Sequence, residues 1–349
     1  MKRSRIGEST DRSNPSKRPG DGADAPQRKS HHQHVSERDW ARQISPEHLA
    51  RQESERKGRE WTLSVAIPSS ALKSAQSKEL RTHLIGRIAR MLAVHTVDEV
   101  VIYVDNPYEL QLEVDKRHSV FFSRILQYME TPPYLRKDLF PMSPDLKFCG
   151  LLPPLETPCH MRRDDASMYR EGVCLNSLCR RTGKSEVNVG LGQPVVIDRA
   201  LKPGTRVTVR LGASTGGRAV GVACSPSEPR VKYGLYWGFQ TRVATSLSRV
   251  FTEGPHAGGY DAMVGSSQAG GDAPKGLRLP EAKHMLVVFG GEGGIESAVE
   301  NDEELGTLKK DARGLFDMYV SFGGAAGTRE LRLEEELMVG LTTLGMLRG

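Results

Sequence analysis

Aromatic residues are scarce in this 349-residue chain, at 6%, and the hydrophobic share is only 38%. That share is low for a wholly folded chain, so part of it is expected to be disordered. No apolar run approaches the length of a membrane span, and no secretory signal is visible, so no membrane partner is expected. The five cysteines are an odd number without framework spacing, which points to a reducing compartment. Cys174-x4-Cys179 is too loose for a structural zinc site, no paired C-x-x-C exists, and no metal is expected. Paired carboxylates and a nucleophile elbow are also missing, which disfavours a hydrolase. Negative charge is outweighed: the net charge is +6 and the pI about 9.0, which fits a polyanionic partner.

What the chain does have is a glycine-flanked stretch, Met285–Gly294. Leu286, Val287, Val288 and Phe289 read as a strand buried on both faces, with Gly290, Gly291, Gly293 and Gly294 after it. Phe316–Phe322 followed by Gly323 and Gly324 repeats the idea. A helix pattern then closes the chain through Leu333, Leu337, Val339, Leu341 and Leu344. Two strand–glycine turns and a terminal helix point to a ligand site at strand C-terminal ends. Gly291-x-Gly293 opens a dinucleotide fingerprint, but Glu296 stands where its last glycine would be, and no P-loop lysine follows either run. Two tight βα turns with no ligand are the other reading of the glycines.

Residues 1–58 are polar and charged and read as a disordered basic tail. Lys2-Arg3-Ser4-Arg5 and Lys17-Arg18 fit a nuclear address or an RNA-binding arm as well as a solvated tail, while Glu8, Asp11, Asp21 and Asp24 argue against a mitochondrial presequence. Order begins at Trp61. Trp61–Ile67 reads as a strand, Ser77 as the N-cap of a helix with Leu80, Leu84, Ile85, Ile88 and Leu92 on one face, and Val97–Val104 as the next strand; this β–α–β order predicts parallel pairing. A second helix runs through Val120, Phe121, Ile125, Leu126 and Met129 to Pro132-Pro133. The proline-rich, basic segment Gly150–Arg163 reads as a functional loop or a linker.

From Tyr169 to Cys224 the helical period disappears. Gly172–Leu175, Val187–Val189, Val195–Ile197, Thr205–Leu211 and Arg218–Ala223 predict a small OB-like barrel, with Arg180, Arg181, Lys184, Arg206 and Arg210 either as phosphate contacts or as ordinary solvating charges. Leu235–Phe239 then reads as a strand, Arg242–Val250 as a helix, and Asp261–Gly271 as a short strand with a small-residue loop. Tyr236 and Trp237 are expected in the core. The expected organisation is a basic tail over 1–58, an α/β domain over 59–165 and 225–349, and a barrel inserted over 166–224.

Over about Trp61–Leu347 the chain resembles the SPOUT class of RNA methyltransferases, in its eukaryotic and archaeal branch with an inserted OB-like barrel. The matching pieces include Trp61–Pro68, Ser77–Arg90, Val97–Tyr103, Arg124–Lys137, Gly150–Arg162, Tyr169–Val173, Gly234–Ala244, Gly259–Asp261, His284–Gly291 and Arg329–Glu336. The resemblance implies a trefoil-knotted α/β domain, a homodimer, RNA as partner with ribosomal RNA foremost, and S-adenosylmethionine as cofactor. It implies cofactor loops at Gly265–Gly270, Phe289–Gly294 and Val320–Gly324, with Thr328–Glu334 at the start of the last helix. The cofactor-binding residues implied are Gly265, Ser267, Ala269, Phe289, Gly290, Gly291, Ser321, Leu331 and Leu333, and the catalytic residue is Arg242, for which an ion pair or phosphate contact is the other reading. A nuclear or nucleolar location is expected, with mitochondrial or cytoplasmic residence as the alternative. The chain departs from the pattern at Ser266-Ser267-Gln268-Ala269-Gly270, where relatives commonly read T-S-E-R-G, at Ser321 in place of Asn, and at Leu333 in place of Thr. These departures motivate a second expectation, a catalytically inactive RNA-binding or ribosome-assembly factor on the same scaffold.

Overall fold

The computed structural model describes residues 58–348 except 180–181, 213–218, 273–278, 280, 308–310, 324–326 and 330. Most of the expected tail, with Arg180 and Arg181, lies outside the described residues. In chain order the elements are β1 (Thr62–Pro68), α1 (Lys78–Val94), β2 (Glu99–Tyr103) and α2 (His118–Glu130). There follow β3 (Tyr169–Leu178), β4 (Ser185–Asn188), β5 (Val195–Ile197), β6 (Arg206–Leu211) and β7 (Val220–Cys224). The chain ends with α3 (Glu228–Tyr233), β8 (Gln240–Ala244), α4 (Leu247–Thr252), β9 (Ala262–Asp272), β10 (His284–Phe289), α5 (Gly294–Glu300), β11 (Met318–Ser321) and α6 (Leu333–Arg348).

Two sheets result. Strands β11-β9-β10-β1-β2-β8 form a parallel sheet of six, and β3-β4-β5-β7-β6 close into a barrel. The sheet alternates its apolar residues between two covered faces, as a parallel sheet must. Val65, Ile67, Val100, Ile102, Val287 and Phe289 pack with Ile85, Ile88, Phe122, Ile125, Leu337 and Leu341 from α1, α2 and α6. Ala66, Val101, Tyr103, Leu286 and Val288 pack with Leu247, Val250 and Ile295 from α4 and α5 on the other side. The expected two-sided burial of 286–289 is found in full, each residue being 0% exposed. Barrel strands fill their interior with Val187, Val189, Val195, Ile197, Val207, Val209 and Leu211.

Helix α1 starts where its sequence says it should. The Ser77 hydroxyl accepts from the Leu80 amide, so Ser77→Ala should cost about 1 kcal/mol of stability in urea unfolding. Leu80, expected on the buried face, is instead 56% exposed, because it sits in the first turn before the helix docks. The segment 235–239, expected as a strand, is irregular between left-handed glycines Gly234 and Gly238, and the strand is Gln240–Ala244. The helix expected from Arg242 begins only at Leu247, capped by Ser246, so Arg242 belongs to a strand. Tyr236 and Trp237 are buried, as expected.

Buried polar groups join the barrel to the sheet domain. Arg206 on β6 donates to both carboxylate oxygens of Glu130 at the end of α2 (2.6 and 2.9 Å) and to Glu171 on β3 (2.7 Å). Trp237 Nε1 and Thr208 Oγ1 also donate to Glu171. Arg170, 1% exposed, donates to the carbonyls of Arg162 and Asp165, each at 2.7 Å, and so pins the end of the basic loop against the barrel.

His160, in the same loop, donates through Nε2 to the Glu130 carbonyl at 2.6 Å, while its buried Nδ1 has no partner among the described residues. Burial pushes its pKa down to about 4. The folded value lies below the unfolded one, so this contribution is present above about pH 6.5 and is lost as pH falls toward 4. Urea unfolding should lose at most about 3 kcal/mol from this source over that window, and His160→Gln should lack the loss.

Candidate functional site: the glycine turns at the sheet's switch point

From β1 the sheet grows one way through β2 and β8, and the other way through β10, β9 and β11. The order reverses between β1 and β10, and ligands of open parallel sheets bind outside the strand C-termini at that point. The turns leaving these two strands meet there. A Cβ on Gly291 would stand 2.5 Å from Ser70 Oγ and 2.9 Å from Asp105 Oδ2. A Cβ on Gly290 would stand 2.7 Å from backbone atoms of Gly294 and Ile295. Gly294, with φ +72°, returns its amide to the Gly291 carbonyl at 2.9 Å. The close backbone contact at Gly290 and the positive φ of Gly294 call for glycine at both positions. The Tyr103 hydroxyl ties the turn down by donating to the Phe289 carbonyl at 2.8 Å.

The neighbouring wall comes from β9. Its register with β11 runs Tyr319↔Gly265 and then Val320↔Gly271, so Ser266–Gly270 bulges out of that ladder. The expected loop at 265–270 is thus assigned to strand β9, but as an excursion along it. Gly265 packs against Phe316 and Tyr319, and Gly270 lies against the backbone of Val320. Ser267 Oγ and the Tyr319 hydroxyl both donate to Glu296 Oε1 at 2.7 Å. Burial works against the Glu296 carboxylate, yet these two hydroxyls hold its pKa below the ordinary value. Ala269 donates through its amide to Ser267 Oγ (3.2 Å) and accepts from Arg313 at its carbonyl (2.6 Å).

The third wall is the start of α6. Leu331 lies 3.4 Å from where a Gly323 side chain would begin, and Leu333 packs on the core beside Phe322. Glu334 pairs with Arg87 at 2.6 Å, a tether to α1. Glu336 accepts from Ser266 Oγ. At the crevice mouth Asp105 accepts from the Ser70 amide at 3.1 Å and from its hydroxyl, and Ser69 donates to Glu109 at 2.6 Å.

The structure brings Gly265, Ser267, Ala269, Phe289, Gly290 and Gly291 to the C-terminal ends of β9 and β10, with Ser321 at the end of β11 and Leu331 and Leu333 at the start of α6. Arg242 stands apart from them. By register it is level with Val101, Ala66, Val288 and Gly265, but four strand spacings from Gly265, about 19 Å. There it pairs with Glu99 (2.8 Å), donates to the Val250 carbonyl (2.8 Å), and shares Glu99 with Tyr260 and Ser64. Asp105, Glu296 and Glu336 were not expected from the sequence.

A second concavity, of about 960 Å³, opens at the opposite ends of β1, β2 and β8, between sheet and barrel. Its charges are committed to one another: Asp98 with Arg59 and Arg230, Glu99 with Arg242, and Glu130 and Glu171 with Arg206. Arg206 is thus occupied in an ion pair and is not one of the expected phosphate contacts, whereas Lys184 is exposed. The five cysteines are free thiols, and no group of metal ligands occurs among the described residues. No described helix is long and apolar enough to cross a membrane.

Residues 62–344 match the family model described as "Putative RNA methyltransferase". The chain belongs to this family. Its members similar to this chain include the 28S rRNA (uridine-N(3))-methyltransferase of Homo sapiens, 41% identical over 320 residues, covering 88% of this chain and 84% of the relative. The enzyme of the same name from Mus musculus is 43% identical over 298 residues, covering 82% and 77%. That of Drosophila melanogaster is 42% identical over 301 residues, covering 81% and 61%. Family membership bears out the recognised class, a SPOUT-type RNA methyltransferase. The family match spans both the crevice and the barrel.

Proposed function

We propose that this protein is an S-adenosylmethionine-dependent RNA methyltransferase that acts on ribosomal RNA, with N3 of a uridine as the acceptor. The observation that carries the reading is the side-chain-free cradle at Gly290 and Gly291, at the switch point of a parallel sheet, in a chain with this family membership. The target nucleotide follows the names of the mammalian and insect relatives.

The crevice fits the cofactor by its donor set. Main-chain groups of Phe289–Gly291 and of the Ser266–Ala269 excursion would hold the polar parts, and Leu331 and Leu333, both partly exposed, would supply apolar wall. Bound S-adenosylmethionine supplies a methyl group already activated on a sulfonium. The chain's task is then mainly to position two reactants and to exclude water. The uridine nitrogen must also lose its proton, and Asp105, whose carboxylate lies against Gly291, is a carboxylate placed to take it. Ser267, which matches the serine of the common family pattern, is tied to Glu296, which supports retained cofactor binding. The trefoil knot, the homodimer and a nuclear or nucleolar location belong to the same proposal, as does a catalytic role for Arg242. Within one chain that arginine serves as an ion-pair partner of Glu99.

Isothermal titration and thermal shift with S-adenosylmethionine and S-adenosylhomocysteine test the reading. Saturable binding of both with a raised Tm is expected; no heat and no shift at millimolar ligand would count decisively against it.

A further inference from the structure

Among the described residues, Glu336 is a carboxylate without a counter-ion. It lies in the first turn of α6, only partly exposed, and its one hydrogen-bond donor is the Ser266 hydroxyl on the β9 excursion. Among the described residues no lysine, arginine or histidine stands within ion-pair distance of it. The carboxylates around it are otherwise provided for: Glu334 has Arg87, Glu296 has two hydroxyls, and Glu335 accepts from the Arg332 amide. Burial accordingly pushes the Glu336 pKa up, and Ser266 offsets this only in part.

A partly buried carboxylate with no counter-ion is costly to keep charged, and a cation brought beside it would offset that cost. The crevice beside Glu336 is where the cofactor belongs under the methyltransferase reading. S-adenosylmethionine carries a permanent positive charge on sulfur; its demethylated product carries none there and is otherwise the same molecule.

We propose that Glu336, anchored by Ser266, is the counter-charge to the sulfonium and makes the pocket prefer the methyl donor over the spent cofactor. This inference rests on the methyltransferase reading. It gives the residue a role in exchange of the cofactor: transfer of the methyl group abolishes the charge that Glu336 holds, so the spent cofactor is released more readily than the donor.

The test is titration calorimetry of wild type, Glu336→Gln and Glu336→Asp with S-adenosylmethionine and S-adenosylhomocysteine separately. The Gln variant keeps the shape and a hydrogen-bonding group toward Ser266 while removing the charge. Its affinity for the donor should fall about tenfold, equivalent to about 1.4 kcal/mol, while its affinity for the product changes less than twofold. The Asp variant, which keeps the charge but withdraws it, should show an intermediate donor-to-product ratio. Equal weakening of both ligands, or no weakening of either, in variants whose thermal melts remain cooperative would overturn the assignment and leave the methyltransferase reading intact. Failure of wild type to bind either ligand would remove the methyltransferase reading, and this inference with it.

Discussion

Gly290→Ala should weaken S-adenosylmethionine binding at least about tenfold while the protein stays folded. The added methyl would stand 2.7 Å from the carbonyl carbon of Gly294 and from the amide nitrogen of Ile295. Both are backbone atoms in a turn closed by the Gly294–Gly291 hydrogen bond, so no rotamer change relieves the clash. Overpacking of this kind costs about 1–3 kcal/mol. Here the strain is relieved by opening the turn, which under the methyltransferase reading is the surface that receives the cofactor. Taken from binding, that cost is a loss of about tenfold to a hundredfold in affinity. Calorimetry with S-adenosylmethionine reads the loss directly, and circular dichroism confirms the fold. Gly265→Ala is the informative companion: its methyl would meet the rings of Phe316 and Tyr319, which are side chains and can turn aside, so its effect should be smaller.

Arg206→Ala is expected to be the most destabilising single change at the junction of barrel and sheet. It removes the cation that Glu130 and Glu171 share and leaves two buried carboxylates facing each other. Breaking a buried pair from one side costs about 3–5 kcal/mol, measurable by urea unfolding. Burial opposes the charge on Arg206, and the hydrogen-bonded carboxylates more than offset that. Burial also raises the pKa of Glu130, against the pull of Arg206. A carboxyl whose folded pKa lies above its unfolded one contributes stability at low pH and loses it as pH rises through the folded value. With Arg206 gone the pull that lowers Glu130 is gone too, so the variant's deficit should be larger at pH 8 than at pH 5. Adding Glu130→Gln should restore part of the loss, because the two carboxylates then no longer oppose each other.

How much of this was legible beforehand depended on the kind of signal. Strands β1, β2 and β10 announce themselves as β-branched runs because both faces of a parallel sheet are covered. The barrel strands announce themselves through glycine-separated apolar runs, and Ser77 and Pro132-Pro133 mark helix ends by their own chemistry. Strand β8, Gln-Thr-Arg-Val-Ala, carries no such mark: it is an edge strand whose Arg242 is held by Glu99, a partner 143 positions away. The glycine cradle was readable as two turns, but not that Gly291 would meet Ser70 and Asp105, which register alone brings to it. Glu336 sits in the run Glu334-Glu335-Glu336 and looks like solvated helix charge. Only the packing of α6 against β9 separates it from its neighbours. The position of Arg242 shows the converse: motif matching picks the residue, while sheet order sets it three strands from β10, which leads into the glycine turn.

The most direct test of the central claim is to incubate the purified full-length protein with unmodified large-subunit rRNA and methyl-labelled S-adenosylmethionine, then digest the RNA and resolve the nucleosides by mass spectrometry. Labelled N3-methyluridine should appear with wild type and be reduced at least tenfold with Gly290→Ala. Cofactor binding by the wild-type protein with no labelled nucleoside in that RNA would contradict the account.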